Sequence, residues 1–80
     1  MKTINEKECE RAFGRFVKEG RERLGLYQSD VAEALGYTQS RISQLESGIK
    51  STDLAGALEL CQFLNLDLKE FIENYMKTLS

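Results

Sequence analysis

Apolar residues recur along this chain at intervals of three and four, and no segment shows the alternation of a strand. Phe13, Phe16, Val17, Gly20 and Leu24 make one helical stripe. Upstream of it, Asn5 followed by Glu8 is a capping-box signature, and Ile4 and Cys9 stand where a hydrophobic staple would sit. Gly25 is the predicted stop. A second, short helix is predicted from Gln28 to Leu35, with Val31, Ala32 and Leu35 inward and Gly36 ending it. Thr38 is a good N-cap for a third helix, Gln39 to Ser47, with Ile42 and Leu45 inward and Gly48 as its stop.

A fourth helix is predicted from about Thr52 to Leu64, with Leu54, Ala57, Leu58 and Cys61 on one face. Asp67 and Glu70 form another capping-box pattern, opening a fifth helix over about residues 67–79. The pattern therefore predicts an all-α fold of five helices. No repeat, low-complexity tract or linker interrupts it, so residues 1–80 read as one domain.

A chain of 80 residues buries only about 60–65% of its unfolded surface, which leaves a modest core and room for a partner face. Neither a membrane-length apolar run nor a secretory leader is visible, so the expectation is a cytoplasmic protein with no membrane partner. The only cysteines, Cys9 and Cys61, lack metal-site spacing, and histidine is absent. A zinc site is not expected, buried thiols are, and the commonest general base is missing. The serines have no visible activating base. No catalytic residue and no cofactor is expected. Net charge is −2, which by itself disfavours nucleic acid. Its distribution changes that: residues 11–50 carry seven Lys/Arg against five Asp/Glu, and residues 51–80 two against five. A small nucleic-acid reader needs local positive charge only.

The unusual stretch is GYTQSRISQLESG, Gly36 to Gly48. Its polar face carries Gln and Ser in place of the Glu and Lys that solvate an ordinary surface helix. Two short helices joined by a tight glycine turn form a helix-turn-helix pattern, whose second helix enters the DNA major groove. Amides and hydroxyls match the donor and acceptor pattern of base edges, whereas flanking phosphates would repel a carboxylate.

The segment from Val17 to Gly48 resembles the Cro/repressor-type helix-turn-helix family of bacterial and phage transcriptional regulators. The likeness rests on Arg21, on Gly25, Leu26 and Gln28, on Val31 and Ala32, on Leu35 and Gly36, and on QSRISQLESG from Gln39. It implies a five-helix bundle of the lambda-repressor-like type. It also implies roles. Gln28, opening the second helix, would hold a phosphate. Gln39 and Ser40 would meet base edges, and Ser43 and Gln44 would extend that face. Arg41, on the same face, could serve either a base or the DNA backbone and is placed with the backbone, as is Lys50, and Arg21 and Glu46 would pair between the first and third helices. Two positions depart from the family pattern. Gly20 stands where Leu or Ile is usual, and Tyr27 where Ser or Thr normally caps. The expectation is that Tyr27 packs over the gap Gly20 leaves.

On the fifth helix Leu68, Phe71, Ile72, Tyr75, Met76 and Leu79 form a full apolar stripe. Leu68 to Ile72 suffice to close a small core. Tyr75, Met76 and Leu79 are then expected beyond the bundle's edge, as a homodimer interface. The resulting expectation is a sequence-specific regulator of double-stranded DNA, acting as a homodimer on a palindromic operator. A phage-type repressor, a restriction–modification controller or an antitoxin fits that format, with RNA polymerase or a toxin as a further partner. The alternative is a protein-interaction module of the same fold without DNA contact.

Overall fold

The computed structural model describes residues 3–79. Five helices follow in order: α1 (Glu6–Arg23), α2 (Gln28–Leu35), α3 (Gln39–Glu46), α4 (Leu54–Phe63) and α5 (Leu68–Lys77). There is no strand among the described residues. Side chains set the starts. Asn5 Oδ1 accepts the Glu8 N–H at 3.0 Å, Thr38 Oγ1 the Arg41 N–H at 3.1 Å, and Asp53 Oδ1 the Gly56 N–H at 2.8 Å. Each satisfies a first-turn donor that the helix itself leaves unpaired. Asp67 caps α5 by accepting from Lys69, so the expected reciprocal box with Glu70 is not what opens that helix.

Left-handed residues set the stops. Gly25, Gly36 and Gly48 have φ of 71°, 75° and 79°, and Asn65 makes the equivalent turn after α4 at φ 55°. After Gly25 the Leu26 N–H returns to the Arg21 carbonyl at 3.1 Å, and after Asn65 the Leu66 N–H returns to Cys61 at 2.7 Å. These are the same helix-ending hydrogen bond, made once around glycine and once around asparagine.

The core joins Val17 of α1, Val31 and Ala32 of α2, Ile42 and Leu45 of α3, and Leu60 and Leu64 of α4 or its cap. Where the stripe on α1 led to Leu24, the helix has already ended and Leu24 is half exposed. On α4 the expected inward face is wrong by about a quarter turn. Cys61 is buried as expected, but its buried companions are Leu60 and Leu64, while Leu54 and Leu58 are 71% and 52% exposed. That helix is apolar nearly all round, so periodicity has no polar side from which to choose the inner one.

α5 closes over α1 through aromatic rings. Phe71 meets Phe13 edge-on with centroids 5.4 Å apart, lies 5.1 Å from Phe16, and stacks on Tyr75 at 5.9 Å. Tyr75 and Leu79 are consequently half-buried and edge a surface pocket with Ala12 and Arg15 of α1. The expectation that they project beyond the bundle fails, because the N-terminal half of α1 is long enough to lie beneath them. Met76, on the next face, is 47% exposed.

The space above Gly20 is filled by Leu66, whose side chain stands where a Cβ would be. Tyr27 does not fill it, being 75% exposed. Leu66→Ala should therefore cost about 2 kcal/mol through the void it opens, and Gly20→Ala, damaging alone, should recover part of that loss in the Leu66→Ala background. Urea melts of the two single variants and the double variant measure the coupling; strictly additive costs would disprove the contact.

Candidate nucleic-acid interface

α2 and α3 are joined by three residues, Gly36 to Thr38. Gly36 takes the left-handed turn and Tyr37 N–H closes it on the Ala32 carbonyl at 2.9 Å. Ile42 and Leu45 anchor the inner side of α3 in the core. Its outer side follows from helical spacing: Gln39, Ser40 and Ser43 are exposed and Gln44 half-buried. No charged group interrupts that set. Four side chains that can both donate and accept thus stand on the first two turns, held by a rigid backbone.

Arg41 lies on the flank. It is half-buried, and its guanidinium carbon sits 5.2 Å from the centre of the Tyr37 ring. The Tyr37 hydroxyl in turn approaches the first turn of α4, where a Cβ on Gly56 would lie 3.3 Å from it. The ring attracts the cation and limits its rotamers. Tyr37 was not singled out from the sequence; the available signal was an aromatic four residues before an arginine across a turn. Lys50 is exposed, on a loop whose Ile49 and Lys50 N–H groups both return to the Gln44 carbonyl, at 2.9 and 3.2 Å. Its backbone is tied to the end of α3, so its cation moves with that helix.

Arg21 and Glu46 form the pair expected between α1 and α3. Arg21 Nε donates to Glu46 Oε2 at 2.7 Å and Nη2 to Oε1 at 3.0 Å, a bidentate fork. Nη1 donates to the Leu26 carbonyl at 2.8 Å, which joins the α1–α2 turn to the same cluster. The hydrogen bonds that Arg21 donates to Glu46 raise the Arg21 pKa above its ordinary value, so the guanidinium stays charged. Gln28 adds a contact the sequence did not reveal: its Nε2 donates to Glu46 Oε1 at 3.1 Å. The Glu46 charge is thus balanced internally by Arg21. The first-turn N–H groups of Gln28 and Ser29 have no acceptor among the described residues, the usual condition for binding an anion at a helix start.

α1 approaches α3 closely at Gly14, where a Cβ would collide with the carbonyl oxygens of Leu45 and Glu46. That glycine sits beside the expected stripe and escaped it, because a residue without a side chain leaves no hydrophobic mark.

The two cysteines are unpaired, Cys61 buried and Cys9 half-buried. Burial pushes both thiols up, Glu10 adding to the effect at Cys9 and Asp67 at Cys61, which keeps them protonated. Among the described residues no group of acidic, cysteine or histidine side chains gathers as a metal site, and no helix is long and apolar enough to cross a membrane.

A helix-turn-helix family model matches residues 17–71, which is 55 of the 80 residues. The chain belongs to the Cro/repressor-type helix-turn-helix family. Its members are DNA-binding regulators, and α2 and α3 are the helix pair of the motif in this chain. The matched span takes in all of α2, α3 and α4 and the start of α5. It leaves out the first half of α1 and the end of α5. No curated protein matches the chain.

Proposed function

We propose that this protein is a sequence-specific regulator of transcription that binds double-stranded DNA as a homodimer on a palindromic operator. The observation that carries the reading is the outer face of α3. Gln39 and Ser40 stand exposed at its start, with Ser43 one turn on and no carboxylate among them. In the major groove Gln39 takes an adenine through its N6 and N7 edge, and Ser40, Ser43 and Gln44 read the neighbouring pairs. Gln28 with the α2 N-terminus, Arg41 and Lys50 serve the phosphates on either side. Self-association involves α5, since two copies must set their recognition helices about 34 Å apart, one DNA turn. The protein then acts by occupying DNA, excluding polymerase or touching it, in the manner of a phage repressor, a controller protein or an antitoxin.

Selection of bound duplexes from a random pool tests this directly, since it yields the half-site and its spacing together. Failure to enrich any sequence would reject specific binding. On the enriched duplex, Gln39→Ala should cost about 1–3 kcal/mol, roughly 5- to 150-fold in affinity. Binding to random duplex should barely change. Equal losses on both duplexes would remove Gln39 from the set of base readers.

The net charge of −2 favours a second reading, a protein-binding module on the same scaffold. Salt separates them. Duplex affinity should fall steeply as salt rises if phosphates are contacted, and a flat response would favour the protein partner.

A further inference from the structure

Lys7, Arg11, Arg15 and Lys18 are all exposed on α1. Spacings of four, four and three residues put them within an arc of about 80° and over a length of about 17 Å. No carboxylate stands in that arc until Glu22, at its C-terminal end; Glu8 and Glu19 lie just outside it. None of the four cations is in an ion pair among the described residues. We infer that this basic stripe is a second backbone-binding surface, which holds the phosphates of one DNA strand outside the stretch that α3 reads. It rests on the DNA-binding reading above and extends it to a part of α1 that lies mostly outside the family-matched residues 17–71.

Three observations separate the stripe from an ordinary solvated face. The first is its cost to the helix. Lys7 with Arg11, and Arg11 with Arg15, are like charges four residues apart, and Arg15 with Lys18 are like charges three apart. Each such pair destabilises a helix. Lys7 also stands in the first turn, where the helix dipole favours an anion. A face built for solubility alone would mix the two signs.

The second is position. Gly14, beside the stripe, is where α1 meets the Leu45 and Glu46 carbonyls. Arg11 packs on the turn that follows α3: a Cβ on Gly48 would lie 2.5 Å from Arg11 Cγ and 3.0 Å from its Cα. Lys50, held to the Gln44 carbonyl through its own N–H, is two residues further on. The stripe therefore continues from the loop to which the DNA reading gives a phosphate contact. α5 lies on the opposite side of α1, against Phe13 and Phe16.

The third is charge. The chain as a whole is acidic, at −2, so attraction to a duplex has to come from a local cluster of cations. The dipole at the C-terminus of α3 accounts for one cation at Arg11 and for none of the other three. Four cations in line match a row of phosphates, which a duplex presents at regular spacing along each strand.

The enriched operator duplex, carried in longer random flanks, tests the stripe. Arg11→Gln with Arg15→Gln should weaken binding about 5- to 50-fold at low salt and lower the slope of log affinity against log salt by about 1–2. Random duplex should lose as much, unlike the pattern for Gln39→Ala. The melting temperature should hold or rise, because like-charge contacts are relieved. Lys7→Gln with Lys18→Gln, on the same stripe, should repeat the change in slope. Lys69→Gln with Lys77→Gln removes the same charge from α5 and should leave the slope near the parent's. Ethylation interference should mark phosphates in the parent that adjoin those lost in Lys50→Ala, and the marks should vanish in the Arg11 and Arg15 variant. A stripe variant with the parent's slope and footprint overturns the inference while the DNA reading stands, and is the result expected if an acidic protein is the partner. An α5 control that lowers the slope equally overturns it too. A parent that binds no duplex rejects the DNA reading, and the stripe with it.

Discussion

Glu46→Ala should lower the melting temperature by roughly 15 °C, corresponding to about 3 kcal/mol in a domain of this size. The magnitude follows from what the carboxylate leaves behind. Arg21 is only 8% exposed, and two of its three hydrogen bonds end on Glu46. Gln28 Nε2 donates to the same carboxylate. Truncation strands a buried charged guanidinium and leaves the half-buried Gln28 amide without its acceptor, which costs more than the ~0–1 kcal/mol of an exposed ion pair. Glu33→Ala, on the exposed side of α2, provides the comparison and should stay within about 0.5 kcal/mol of the parent. A Glu46→Ala variant that melts with Glu33→Ala would show that the fork does not hold α1 to α3. Because Gln28 is part of the cluster, the variant should also loosen the start of α2 and weaken binding to every duplex alike.

Gly14→Ala is the second large effect, and helix propensity predicts its sign wrongly. In the interior of α1 alanine is favoured over glycine by about 1 kcal/mol. The added methyl, however, would meet the Leu45 and Glu46 carbonyl oxygens. These are backbone atoms at the end of α3, and no rotamer change moves them aside. The helices must separate, with strain of about 1–3 kcal/mol or more and loss of the short fork distances between Arg21 and Glu46. Net destabilisation of up to about 2 kcal/mol is expected after the propensity gain. Urea denaturation decides the matter: an alanine variant as stable as the parent, or more so, would mean the close approach is not required. Gly25, Gly36 and Gly48 differ in kind, since their positive φ is the constraint there.

Much of the helix-turn-helix was legible in the sequence because its signals are local. Thr38 as cap and Gly36 and Gly48 as stops each act within one turn of their own residue, so the edges of α2 and α3 follow from the string of letters. The polar set on α3 was legible for a similar reason: once Ile42 and Leu45 are inward, spacing alone puts Ser40 and Ser43 outward. The Arg21–Glu46 pair came from family resemblance, as nothing local joins residues 25 apart.

What escaped was set by contacts between elements. Asn65 carries no stop signal as strong as glycine, yet it takes the left-handed turn that ends α4 and aims Leu66 back over Gly20. Tyr37 orients Arg41 only because the turn brings its ring beneath the third residue of α3.

Composition and periodicity by themselves determined an all-helical chain of five elements, the two short helices and their turn, and an outer face of α3 free of carboxylates. These are properties of single helices, where the caps, the 3.6-residue repeat and the glycine stops lie close along the chain. Only the tertiary structure decided which side of α4 faces the core and which apolar residues of α5 remain in solvent. Both helices carry more apolar surface than one face can bury, and the choice between faces depends on where α1 lies. Gly14 sets how closely α1 approaches α3, and Phe13 and Phe16 hold Phe71 and Tyr75 against it, leaving Leu54, Leu58, Ile72 and Met76 outside.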